Sequence, residues 1–150
     1  MAEGLSVRLT RSKTSDVAAD VAVPWATDKS ICPCRAFIAY RDALAARGVT
    51  SGPLLRRITR TGALGTRLTA ASVVAVVTSA AEAAGLPVPP GFAGWSGHSL
   101  RRGFATEARK AGADPLKISR QGGWVDGSRA LNGYIADADR WSDHPLRGVL

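Results

Sequence analysis

No window of the 150-residue chain reaches the roughly 18 unbroken apolar residues that a membrane-spanning helix requires. The N-terminus lacks the charged-then-apolar layout of a secretory signal, so a cytoplasmic protein with no membrane partner is expected. Only two cysteines are present, Cys32 and Cys34, flanking one proline. That spacing is poor for a disulfide and supplies only two zinc ligands. His98 and His144 could complete a metal set, but nothing in the sequence places them near Cys32, so core or capping roles are expected instead. There is no phosphate-binding loop with its lysine, no dinucleotide fingerprint and no metalloprotease signature. In Gly94-Trp95-Ser96-Gly97-His98 a histidine stands where a nucleophile elbow needs its last glycine. Internal repeats and low-complexity runs are also missing. Finally, residues 51–70 contain no acid at all.

Twenty Lys and Arg against twelve Asp and Glu give a formal charge of +8, and the excess is clustered. Arg56, Arg57, Arg60 and Arg67 make one block. A second holds Arg101, Arg102, Arg109, Lys110, Lys117 and Arg120 against only Glu107 and Asp114, whereas the tail carries Asp126, Asp137, Asp139 and Asp143. Such blocks suit a polyphosphate partner, because each phosphate neutralised releases condensed counterions. A merely solvated basic surface would have the same composition. The length suits one hydrophobic core, and a single domain over 1–150 is expected.

Leu5, Val7 and Leu9 alternate with polar residues, and Val21 and Val23 repeat the pattern, predicting two antiparallel strands with Lys13 in their loop. Ser30 as N-cap, Pro33 in the first turn, then Phe37, Tyr40 or Arg41, and Leu44 before Gly48 predict an amphipathic helix. Residues 50–68 show no clean period and read as loop with at most one short element. Thr69 caps a further helix to about Gly85 with Val73, Val76, Val77 and Ala80 inward, and the prolines at 87, 89 and 90 forbid its continuation. From Ser96 to Gly112, Leu100, Phe104 and Ala108 recur at helical spacing. Asp114 and Pro115 open a short helix that Gly122 and Gly123 end ahead of Trp124. The last helix starts near Ser128 with Leu131, Tyr134, Ile135 and Ala138.

His98 and Arg101, three apart, project from neighbouring positions at one helix start. A histidine that exchanges a proton near neutrality and an arginine that grips two phosphate oxygens suit phosphoryl transfer. Alone, H-x-x-R is a common string. The longer string GHSLRRGFATEARKAGADPLKISRQGGW, followed by NGYIADADRW, resembles the C-terminal signature of tyrosine recombinases and phage integrases. The family's histidine, arginine, second histidine or tryptophan, and tyrosine match His98, Arg101, Trp124 and Tyr134. The Trp124 to Tyr134 gap of ten residues is about one longer than the family pattern and points to a small loop insertion. Arg11-Ser12-Lys13-Thr14 resembles the hairpin that carries the family's lysine, and CPCRAFIAYRDAL with GPLLRRITRTGALG resembles its connecting helix and loop.

The resemblance implies a mainly α fold with a small N-terminal β-hairpin, a tyrosine-recombinase-like catalytic domain incomplete at its N-terminus. It also implies site-specific recombination of double-stranded DNA through a 3′-phosphotyrosyl intermediate. Tyr134 would attack, Arg101 would balance charge on the phosphate, His98 and Trp124 would assist, and Lys13 would protonate the leaving oxygen. No metal or small-molecule cofactor is needed, because the phosphotyrosyl link conserves the bond energy. Other recombinase protomers on DNA are the expected partners. The family's further arginine, in a segment resembling G-x-R-x-x-E, does not occur in the twelve residues before Lys13. Arg8 and Arg11 lie in the wrong element to replace it, and the family's N-terminal DNA-clamping domain is not in the sequence. A partial enzyme of low activity is therefore expected, against a DNA-binding remnant that does not cut. A third reading is an unrelated helical scaffold whose arginine blocks are incidental.

Overall fold

The computed structural model describes residues 3–10, 18–89, 91–142, 144, 146 and 149. It is mostly helical, with two small antiparallel sheets. Where length alone argued for one core, the chain groups into two compact units, Met1–Leu54 and Leu55–Leu150.

In the first unit β1 (Gly4–Leu9) pairs with β2 (Ala19–Pro24). Leu5 faces Val23 and Val7 faces Val21, so the apolar alternation sets the register. Gly4 is required where it stands, since a Cβ there would run into the Val23 carbonyl. Helix α1 (Pro33–Ala45) follows, and its N-cap is Cys32, not Ser30. Ser30 instead closes a turn on Asp28, whose Oδ1 accepts from its hydroxyl (2.7 Å) and its backbone N–H (2.8 Å). Those two bonds, the hydroxyl first, hold the Asp28 carboxyl below its usual range. Both cysteines are free and buried. Cys34 donates to the Val23 carbonyl at 3.2 Å, tying α1 to β2, and Cys32 accepts from the Ala26 N–H at 3.4 Å. Burial pushes the Cys32 thiol up, but backbone N–H groups of Arg35, Ala26 and Cys34, with the Arg35 charge, outweigh it and lower it. The core-or-cap expectation for the cysteines is met. Among the described residues no His/Cys/Asp/Glu group could hold a metal ion, and no helix is long and apolar enough to cross a membrane.

The second unit opens with an element where the sequence predicts loop. Residues Arg56–Ile58 (β3) and Leu64–Arg67 (β4) form a bulged hairpin. Its turn is held by Thr59, whose N–H donates to the Ala63 carbonyl (2.9 Å) while its hydroxyl accepts from the Ala63 N–H (3.0 Å). Gly62 supplies the left-handed residue at φ 80°. Helix α2 (Ala70–Ala83) starts where Thr69 accepts from the Ser72 N–H at 3.1 Å. Its covered side is Val77 and Ala81 with Val73 half-buried, whereas Val76 is 61% exposed and Ala80 exposed. The buried face is thus rotated from the expected one, because α2 is apolar nearly all round and its period does not choose a side.

Helices α3 (Gly97–Lys110), α4 (Pro115–Gly122) and α5 (Arg129–Asp139) build the rest. Each begins with a polar residue that satisfies orphan N–H groups. The Ser99 hydroxyl of the first turn accepts from the Ser96 N–H (3.0 Å), Asp114 accepts from Leu116 and Lys117, and Ser128 accepts from Leu131. Their common core is Ala105, Ile118 and Leu131, flanked by Ala108, Trp124, Tyr134 and Ile135. Ala105, wholly buried, lets α3 and α5 approach closely. Of the residues recurring along α3, Ala108 packs against this core beside Ala105, whereas Leu100 is 61% exposed.

Candidate functional site

Four of the five residues that the sequence singles out lie in the second unit. Lys13, with Arg11, lies outside the described residues. His98 is exposed in the first turn of α3, and Arg101 follows one turn later. The Arg101 guanidinium donates to the Gly122 carbonyl at 2.6 Å and to the Gly123 carbonyl at 3.4 Å. It therefore sits at the negative end of the α4 dipole, where a cation is favoured. The same group lies 3.8 Å from the centroid of the Trp124 ring, a close cation–π contact. A guanidinium has five N–H donors, so most of its capacity stays open to a phosphate.

The Gly-Gly-Trp string has a local physical cause. Gly123 ends α4 at φ 65°, the left-handed conformation that glycine adopts without Cβ strain. The chain then folds back, with the Trp124 N–H donating to the Ser119 carbonyl (3.0 Å) and the Ser119 hydroxyl donating to the Trp124 carbonyl (3.1 Å). That return lays the indole across Gly122, whose missing side chain makes the room: a Cβ would collide with the ring. Phe104 stacks against the indole with centroids 6.3 Å apart and 10° between planes. Gly122→Ala is accordingly expected to lower stability by about 1–3 kcal/mol and to displace the indole. Denaturant unfolding followed by fluorescence checks it, and an unchanged midpoint would contradict the packing described.

Tyr134 stands on α5, half-buried. Its ring meets Trp124 edge-on, with centroids 6.5 Å apart at 71°. The Trp124 ring thus touches both Arg101 and Tyr134. His98 and Tyr134 meet differently: with Phe92, Trp95, Ser99 and Arg102 they line a cavity of about 340 Å³. Arg101 is not in that lining. Glu107, which also borders the cavity, is paired with Lys110 at 2.7 Å.

Sequence reasoning misses Arg102, Asp137 and Phe92. Arg102 lies over the Phe92 ring at 4.6 Å and 6.0 Å from the Tyr134 centroid, and its Nη2 reaches Asp137 Oδ2 at 3.3 Å. The Arg101-Arg102 doublet and an acid three residues after Tyr134 are visible as residues. Their pairing across 35 positions is not.

The chain is similar to a protein of Selenomonas ruminantium described as an integrase/recombinase xerD homolog, 34% identical over 127 residues, which is 84% of this chain. The likeness supports the resemblance to tyrosine recombinases drawn from His98, Arg101, Trp124 and Tyr134. The chain spans about a third of the length of that relative, 35% of it. No family model matches the chain.

Proposed function

We propose that the chain is the C-terminal part of the catalytic domain of a tyrosine recombinase, cleaving and rejoining double-stranded DNA in site-specific recombination. The observation that carries the reading is the Trp124 ring, which joins Arg101 to Tyr134 in one helical unit, in the order that the recombinase signature requires. The Tyr134 hydroxyl oxygen attacks a backbone phosphorus as its proton passes to solvent. The phosphorus–O5′ bond breaks as the tyrosyl–phosphorus bond forms, leaving a 3′-phosphotyrosyl link and a free 5′-hydroxyl. Arg101 takes up charge on the non-bridging oxygens, His98 and the Trp124 indole N–H donate beside it, and Lys13 protonates the departing oxygen. Other protomers of the recombinase assemble with it on DNA. Alone, the 150-residue chain reacts slowly, since Arg101 is the one member of the family's arginine pair that it supplies. The test is covalent trapping on nicked duplex, where loss of the short strand prevents rejoining. Adduct through Tyr134 supports the reading, and adduct through another residue rejects it.

A second reading is favoured by one observation, the Arg101 guanidinium already seated on the Gly122 and Gly123 carbonyls. A chain that keeps it there docks on duplex, or beside intact recombinase protomers, without cutting. Binding with no adduct under any condition would select it.

Under either reading the β3–β4 hairpin belongs to the DNA face. Arg57, Arg60 and Arg67 are exposed, whereas Arg56 is half-buried and donates to the Gly65 carbonyl. Replacing the three exposed arginines by Gln is expected to weaken duplex binding for all sequences alike. The slope of log affinity on log salt should shrink by about 0.9 for each phosphate that the hairpin no longer neutralises. An unchanged slope in a salt titration would remove the hairpin from the DNA face.

A further inference from the structure

Two ion pairs join α3 to α5. Arg109 Nε meets Asp139 at 2.8 Å, with both side chains about three-quarters covered (28% and 24% exposed). Arg102 meets Asp137 at 3.3 Å, with Asp137 60% exposed. On geometry the first contributes more to stability, because exposed pairs are strongly screened and hold long side chains at an entropic cost. Yet the second is the one that borders the candidate site. The Arg102 guanidinium is fixed on one side by the Phe92 ring at 4.6 Å, faces the Tyr134 ring at 6.0 Å, and reaches the acid on the turn of α5 following Tyr134. It also borders the cavity that His98 and Tyr134 share. A planar cation gripped by a ring and a carboxylate gives up less freedom per bond formed than a lysine would. Such a group sets an orientation more than it adds stability.

We infer that Arg102 is a positioning residue for Tyr134. Held between Phe92 and Asp137, it fixes the α5 turn that carries the tyrosine against the α3 turn that carries His98 and Arg101. The inference rests on the reading of Tyr134 as nucleophile. Arg102 itself makes no bond to the phosphate. It acts through α5, and its removal shows as a slower covalent step with little change in DNA affinity.

The experiment compares single-turnover adduct formation on a nicked duplex, at saturating DNA, for the unaltered chain and five variants. Arg102→Gln and Asp137→Asn remove the same pair from its two sides, and the exposed Asp137 keeps folding out of question. Each is expected to slow the covalent step about 10- to 100-fold, the range for a misplaced reacting group. Duplex affinity should change less than the rate. Arg102→Lys keeps the charge opposite Asp137 but not the planar contact with Phe92, so it restores the melting temperature while recovering only part of the rate, a split that a merely structural ion pair would not give. Asp139→Asn breaks the better-covered pair and lowers the melting temperature more than Asp137→Asn does, yet leaves the rate near its starting value. Tyr134→Phe is the fifth variant. If it forms no adduct while Arg102→Gln and Asp137→Asn react at the unaltered rate, the positioning role is wrong and the nucleophile stands. If the rate follows melting temperature across the set, the pair is structural only and the inference is overturned. If Tyr134→Phe still forms adduct, the reading beneath the inference falls and takes it along.

Discussion

Tyr134→Phe is expected to abolish covalent protein–DNA adduct on a nicked duplex while leaving duplex binding and melting temperature almost unchanged. The substitution removes one oxygen and keeps the ring. The edge-on packing on Trp124 at 6.5 Å and the packing on the Ala105, Ile118 and Leu131 core are therefore preserved. A phenyl ring cannot form a phosphoester, so the loss is complete instead of partial. Denaturing electrophoresis with labelled DNA reads the adduct directly. Persistent adduct in this variant would mean that the attacking atom belongs to another side chain.

Arg101→Ala carries the second large effect and acts on two levels. In the reaction it removes the donor that faces the charge developing on the phosphate, and deletion of one preorganised donor of this kind typically costs about 10²–10³ in rate. In the fold it leaves the Gly122 and Gly123 carbonyls at the end of α4 without their cation and uncovers the Trp124 ring. Losing a helix-end charge costs about 0.3–1 kcal/mol, far less than the roughly 3–4 kcal/mol that a 10²–10³ rate loss represents. The two levels are thus separable: a large fall in rate with a small shift in the unfolding midpoint is the expected pattern. Arg101→Lys should restore the charge at the carbonyls but little of the rate, because an ammonium cannot bridge two phosphate oxygens in a fixed plane. A rate loss matched by a stability loss of the same size would reduce Arg101 to a helix cap.

The helices around the site are legible in the sequence because their ends are marked locally. Ser96, Asp114 with Pro115, and Ser128 open α3, α4 and α5, and Gly123 closes α4 with a backbone that other residues resist. The first hairpin is legible for the same reason, its alternation matching the observed register. The second hairpin is not. With three and four residues, a bulge and several arginines, β3 and β4 have no period long enough to read, and their order comes from bonds around Thr59 that composition does not announce. The choice of Ser30 as N-cap of α1 fails because Ser30 is the better capping residue in isolation, and only the competing turn on Asp28 removes it and leaves the position to Cys32. Of the site, the order His98, Arg101, Trp124 and Tyr134 can be read. The reason for Gly122, the seat of Arg101 on α4 and the Arg102–Asp137 pair cannot, since each depends on elements brought together by tertiary packing.

The most direct test of the account is to digest the trapped protein–DNA adduct with protease and locate the linked residue by mass spectrometry. The chain has two tyrosines, Tyr40 on α1 and Tyr134 on α5, and they fall on widely separated peptides. A phosphate-linked nucleotide is expected on the peptide containing Tyr134, joined through the DNA 3′ end, and none on the peptide containing Tyr40. A nucleotide carried by Tyr40, by a serine or by a histidine, or a link through the DNA 5′ end, would contradict it.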